Sequence, residues 1–95
     1  MLSKPQAKSP VNLNFLRPKA RALVVELLRA APDPVTFEEL SRLVWGTALD
    51  EYQTQVIYVT TSHARRALPE RRWIVGGEPV GALRWVGPIA EERGA

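Results

Sequence analysis

The chain has no cysteine among its 95 residues. That absence removes disulfides, thiolate metal sites and cysteine nucleophiles, and it fits a reducing compartment. A single histidine cannot build a metal cluster by itself. Long apolar runs are missing too. No stretch approaches the ~20 apolar residues that cross a bilayer, and the opening "MLSKPQAKSP" lacks the hydrophobic segment of a secretory signal. The expectation is a soluble, cytoplasmic protein with no membrane partner. A phosphate-binding loop, a dinucleotide fingerprint and a nucleophile–base pair are likewise absent, so neither an enzyme nor a cofactor is expected. Charge is nearly balanced, with 13 Lys and Arg against 10 Asp and Glu for a net +3, so only its distribution can speak of partners. Lys4, Lys8, Arg17, Lys19 and Arg21 gather in the first third, and Arg65, Arg66, Arg71 and Arg72 form a second group. Several acids fall between Asp33 and Glu51.

What is present suits one small domain. At 45% hydrophobic residues the chain can fill a single core and not two. Residues 1–10 and 88–95 read as flexible tails and 11–87 as the domain. Val11 to Phe15 alternates apolar and polar, which predicts a short strand. Pro18 suits a first helical turn, and Ala20, Leu23, Val24, Leu27 and Leu28 follow at the spacing of an amphipathic helix that stops before Pro32. Thr36 with Glu39 forms a capping box and Val35 with Leu40 a hydrophobic staple, so a second helix starts there. Its expected buried stripe is Phe37, Leu40, Leu43 and Val44, and Gly46 ends it. A third helix starts near Asp50, with Gln53 as box partner, and stops by Leu68 because Pro69 disfavours helical geometry before it. Trp73 to Val75 and Ala82 to Val86, separated by a Gly- and Pro-bearing loop, read as a hairpin. The expected fold class is α+β: a short N-terminal strand, three helices and a C-terminal β-hairpin.

On a helical wheel the third helix separates into two sides. Tyr52, Val56, Ile57, Val59, Ala64, Ala67 and Leu68 gather on the side read as core. The other side is led by Tyr58, Ser62 and Arg65, flanked by Thr54, Gln55, Thr61 and Arg66, and reads as free of carboxylates. A solvated face ordinarily mixes acids with bases, since opposite charges at i, i+4 support a helix. Amides, hydroxyls and guanidinium groups are the chemistry that touches base edges and phosphates. The alternative is a solvated face that happens to lack acids.

The run "TFEELSRLVWG", then "TQVIYVTTSHARRAL", then strand–Gly–strand resembles the OmpR/PhoB-type winged-helix DNA-binding domain and the related domain of the antibiotic regulatory activators, over about Leu13 to Trp85. The resemblance implies a winged helix-turn-helix whose third helix, at about 51–68, enters the major groove while the hairpin wing meets the backbone or the minor groove. Gln55 stands where members often carry arginine, Tyr58 replaces an aspartate and Thr60 a frequent histidine, whereas Ser62, Arg65 and Arg66 keep the family character. The chain departs from the pattern in its reduced N-terminal sheet and in having no receiver domain, so a stand-alone unit is expected. It departs also in the short Thr47–Leu49 connection and in Glu78 and Pro79 at the wing tip. An acid there repels phosphates, leaving wing contact to Arg72 and Arg84.

The first reading is therefore a sequence-specific double-stranded DNA-binding protein, a transcriptional regulator that forms a homodimer on DNA. Its contacts are Thr54, Gln55, Tyr58, Thr61, Ser62, Arg65, Arg66, Arg72 and Arg84. The second is a winged-helix interaction module that binds RNA polymerase or another regulator. Trp45, Trp73 and Trp85 are either stacking platforms or core, and their apolar area favours core. His63 either binds phosphate or packs. Glu38, Glu39, Asp50 and Glu51 suit helix N-termini, where the dipole favours anions, better than a metal site. The basic N-terminal tail is a solubilising end or an arm that adds phosphate contacts.

Overall fold

The computed structural model describes Leu13 and residues 16–89. The expected strand at Val11–Phe15 and most of both expected tails lie outside the described residues. The elements run α1 (Pro18–Ala30), β1 (Val35–Thr36), α2 (Phe37–Leu40, continued by a π-helical segment Ser41–Trp45), α3 (Glu51–Ala67), β2 (Ile74–Gly76) and β3 (Ala82–Trp85). A short 3-10 turn, Arg71–Trp73, leads into β2. Among the described residues no helix is long and apolar enough to cross a membrane.

Local chemistry sets the helix ends. Pro18 opens α1 after an extended Arg17 that supplies no side-chain cap. The Thr36–Glu39 box is formed in both directions: the Glu39 N–H donates to Thr36 Oγ1 at 3.1 Å, and the Thr36 N–H donates to Glu39 Oε1 at 3.3 Å. Replacing Thr36 with alanine is expected to cost about 1 kcal/mol, read as a lower urea midpoint with an unchanged slope. Gly46 ends the second helix with φ +71°, a left-handed turn that favours glycine. Asp50 caps α3 by accepting from the Gln53 N–H at 2.7 Å.

Leu43 does not join the core stripe of the second helix. It is 60% exposed, and Ser41 is fully buried in its place. The inward positions are thus Phe37, Leu40, Ser41 and Val44, and the serine is tolerated because its hydroxyl donates to the Thr47 carbonyl at 2.7 Å.

The sheet is antiparallel with order β1-β3-β2. Ile74 pairs with Trp85 and Gly76 with Leu83, while on the other edge Val35 pairs with Leu83 and Thr36 with Ala82. The sequence pattern had not revealed β1, because two residues carry no periodicity. Leu83 and Trp85 share a buried parity along β3 and pack with Leu23, Val24, Leu27, Leu40 and Ile57 in the core. Trp45 and Trp73 pack partly buried against that core. α1 packs against both α3 and β3, which leaves the far side of α3 open.

Candidate nucleic-acid interface

The residues of α3 that point inward are Gln53, Ile57, Thr60, Thr61, Ala64 and, just past its end, Leu68. This stripe has helical spacing but is half polar. Thr60 returns its hydroxyl to the Val56 carbonyl at 2.8 Å, a bond that lets a threonine sit in a helical core. Gln53 Nε2 and Thr61 Oγ1 are buried without a hydrogen-bond partner.

Consequently the outward face differs from the one the hydropathy pattern suggests. Tyr52 and Val59, expected in the core, are 76% and 53% exposed, and Thr61, expected outside, is 3% exposed. At ~100° per residue the true face is turned by roughly a fifth of a circle, so that its midline runs through Gln55, Val59, Ser62 and Arg66. The face is not free of acids either, for Glu51 is exposed at its first residue. That position is where the helix dipole favours an anion.

The expected site residues therefore divide. Gln55, Ser62 and Arg66 lie exposed on one line, with an Arg66 guanidinium N–H donating to Ser62 Oγ at 3.2 Å. Tyr58 flanks this line, exposed on the side toward α2, with its ring edge-on to Phe37 at 5.4 Å and 89°. Thr54 is half-buried and donates its hydroxyl to the Asp50 carbonyl at 2.8 Å. Arg65 is turned away from the face. Its Nε and Nη2 both donate to the Ile74 carbonyl, at 3.1 and 2.9 Å, clamping the start of β2 to α3. Arg72 is exposed beside Glu70 at 3.5 Å, and Arg84 is half-buried with its Nε unpartnered. Glu78 and Val80 are exposed on the β2–β3 loop.

The two adjacent arginines should thus separate in experiment. Arg65→Ala is expected to lose about 2 kcal/mol of stability, since it removes charge-assisted bonds to a half-buried carbonyl. Arg66→Ala should leave stability within about 0.5 kcal/mol, as an exposed surface change does. Thermal or urea unfolding of the two variants reads the contrast, and equal midpoints would contradict it.

Sequence reasoning left His63 between phosphate binding and packing, put Val59 in the core, and named Arg17 within the first basic group. His63 is exposed, and it lines two adjoining depressions between α3 and the start of α1. One is an apolar groove of about 510 Å³ bordered by Pro18, Ala20, Tyr52, Val56 and Val59. The other, about 340 Å³, is bordered by Arg17, His63 and Arg66 over Leu16, Ala20 and Ala67. The signal that could have found them is the basic first turn of α1, where cations oppose the helix dipole. Comparison with family models, with curated proteins and with solved structures finds no match for this chain.

Proposed function

We propose that this chain is a winged-helix protein that binds double-stranded DNA, a cytoplasmic transcriptional regulator of the OmpR/PhoB type that lays the outward face of α3 in the major groove. The observation that carries the reading is the line Gln55, Val59, Ser62 and Arg66 on the open side of a helix anchored by α1, α2 and the 3-10 turn. A glutamine amide matches the N6/N7 edge of adenine, a guanidinium matches O6/N7 of guanine, and valine methyls match the thymine methyl. Three helices followed by a hairpin, with β3 between β1 and β2, support the winged-helix assignment. In this reading the hairpin is the wing, and its cations are at the base, Arg71 and Arg72, because the exposed tip carries Glu78. One such unit reads few base pairs, so specific binding takes two copies on adjacent half-sites.

The test is a titration of a labelled random-sequence duplex at low salt, followed by fluorescence anisotropy. Saturable binding is expected, tighter than the range of about 1–100 µM that non-specific complexes show at physiological salt. No binding there would move the face to a second reading, a protein-interaction module for RNA polymerase or another regulator. That reading draws on the apolar groove beside Tyr52 and Val59, since exposed apolar strips commonly mark protein contacts.

A further inference from the structure

We infer that the pocket between the first turn of α1 and the C-terminal half of α3 is a phosphate-binding site whose ligating side chains are Arg17, His63 and Arg66. The cavity measures about 340 Å³, and its lining contains those three nitrogen-bearing side chains and no carboxylate. Two of the three come from α3 at i and i+3, and the third enters from the residue that precedes α1. The pocket is therefore assembled by the packing of two helices rather than by one basic run. All three side chains are exposed at the rim, whereas Leu16 and Ala20 beneath them are buried. An apolar floor under cations lowers the local dielectric and strengthens their pull on an anion.

The placement of charge around the pocket is unfavourable for the helix itself. Arg17, Lys19 and Arg21 crowd the start of α1, whose first turn holds no acid and whose N-cap side chain makes no capping bond. Cations at that end oppose the helix dipole, and an anion in the pocket would reverse the repulsion. The first N–H groups of a helix have no acceptor within it, and Ala20, the third residue of α1, is among the lining residues. Arg17 and His63 make no side-chain hydrogen bond or ion pair among the described residues, so neither must give up a partner to bind. A guanidinium offers a planar fork to phosphate oxygens, and an imidazole offers at least one N–H in either charge state.

The ligand is a phosphate group, either a backbone phosphodiester of duplex DNA or a free phosphate or phosphate ester. The first source rests on the DNA-binding reading above: a strand whose base edges meet Gln55 and Val59 carries its backbone past Arg66 at the pocket's edge. The second source does not depend on it.

The experiment uses the full chain and the double variant Arg17→Gln with His63→Ala, checked for an unchanged melting temperature. Duplex affinity is measured by anisotropy, and inorganic phosphate is titrated against the Ala20 amide and His63 ring resonances by NMR, with chloride as control. The inference predicts about a tenfold loss of duplex affinity in the variant, a salt slope shallower by roughly one to two, and phosphate-induced shifts in the wild type that the double variant abolishes at the Ala20 amide. Wild-type duplex binding that the variant leaves intact, with no localised phosphate shift, overturns the pocket and leaves the DNA reading standing. Localised phosphate shifts without any duplex binding keep the pocket, with a free phosphate ester as its ligand, and remove the DNA reading. Loss of duplex affinity alone assigns the pocket to the backbone.

Discussion

Replacing Trp85 with alanine is expected to cost about 3–5 kcal/mol of folding stability, as truncation of a fully buried aromatic side chain does. Trp85 is 0% exposed and is the largest of the fully buried side chains. It lies opposite Ile74 across the β2–β3 pair, sits 5.8 Å from the Trp73 ring, and donates its indole N–H to the Pro88 carbonyl at 3.0 Å. The cavity left by its removal would open between α1 and the sheet, where the backbone of two helices and a hairpin limits collapse. A domain of this size holds about 5–15 kcal/mol in total, so the variant forfeits roughly a fifth or more of the margin. Since each kcal/mol shifts the midpoint of such a domain by about 4–8 °C, the melting temperature should fall by more than roughly 12 °C. Trp85→Phe should lose less, because a ring remains against Trp73. Urea denaturation measures both, and a loss below about 1 kcal/mol for the alanine variant would show that the hairpin is not anchored through this residue. The functional consequence follows from position: the same anchor holds the strand that carries Arg84 and faces the turn that carries Arg71 and Arg72.

The helix boundaries were legible because they depend on chemistry between near neighbours. Pro18 at a first turn, the Thr36–Glu39 box, Asp50 at the start of α3 and Pro69 after its end each act within about four residues of chain, and each appears where the sequence puts it. The orientation of α3 was not legible, for a reason that lies in its core residues. Hydropathy sends Gln53, Thr60 and Thr61 outward and draws Tyr52 and Val59 inward, yet the reverse holds. Polar side chains can face a core when the bond they need is local, as Thr60 shows with the Val56 carbonyl and Ser41 with the Thr47 carbonyl. A wheel built on apolarity alone then rotates the helix, which moves Thr61 onto the surface and hides Val59. Arg65 escaped for a different reason. Its partner is a carbonyl nine residues later, across a turn, and only the packing of β2 against α3 brings the two together. The sheet shows the same limit, since β1 becomes a strand through its pairing with β3 and not through its own two residues.

Once the face is corrected, the exposed cations beside it are, among the described residues, few enough to give the salt dependence a definite size. Raising monovalent salt from 50 to 200 mM is expected to weaken duplex binding on the order of 10²-fold, corresponding to a log–log slope of about −3 to −4 for about four phosphate contacts. In the DNA-binding reading those contacts are Arg17 and Arg66 at the α1–α3 pocket and the exposed Arg71 and Arg72 at the base of the hairpin. Arg65 is left out because its guanidinium is held by the Ile74 carbonyl, and Arg84 because it is half-buried. Were both engaged, the slope would approach about −5 and the same change of salt would cost on the order of 10³-fold. Arg72 must also leave the Glu70 carboxylate at 3.5 Å, an exposed pairing that is worth little and is itself weakened by salt. The measurement therefore separates three arrangements. A slope near −3.5 supports the outward face as drawn, a slope beyond about −5 returns Arg65 and Arg84 to the backbone, and a slope near zero, with binding retained, removes phosphate contact altogether. Arg66→Ala should reduce the slope by about one. Glu78→Lys should steepen it only where the hairpin tip approaches the backbone, which makes that single change a test of the wing apart from the helix.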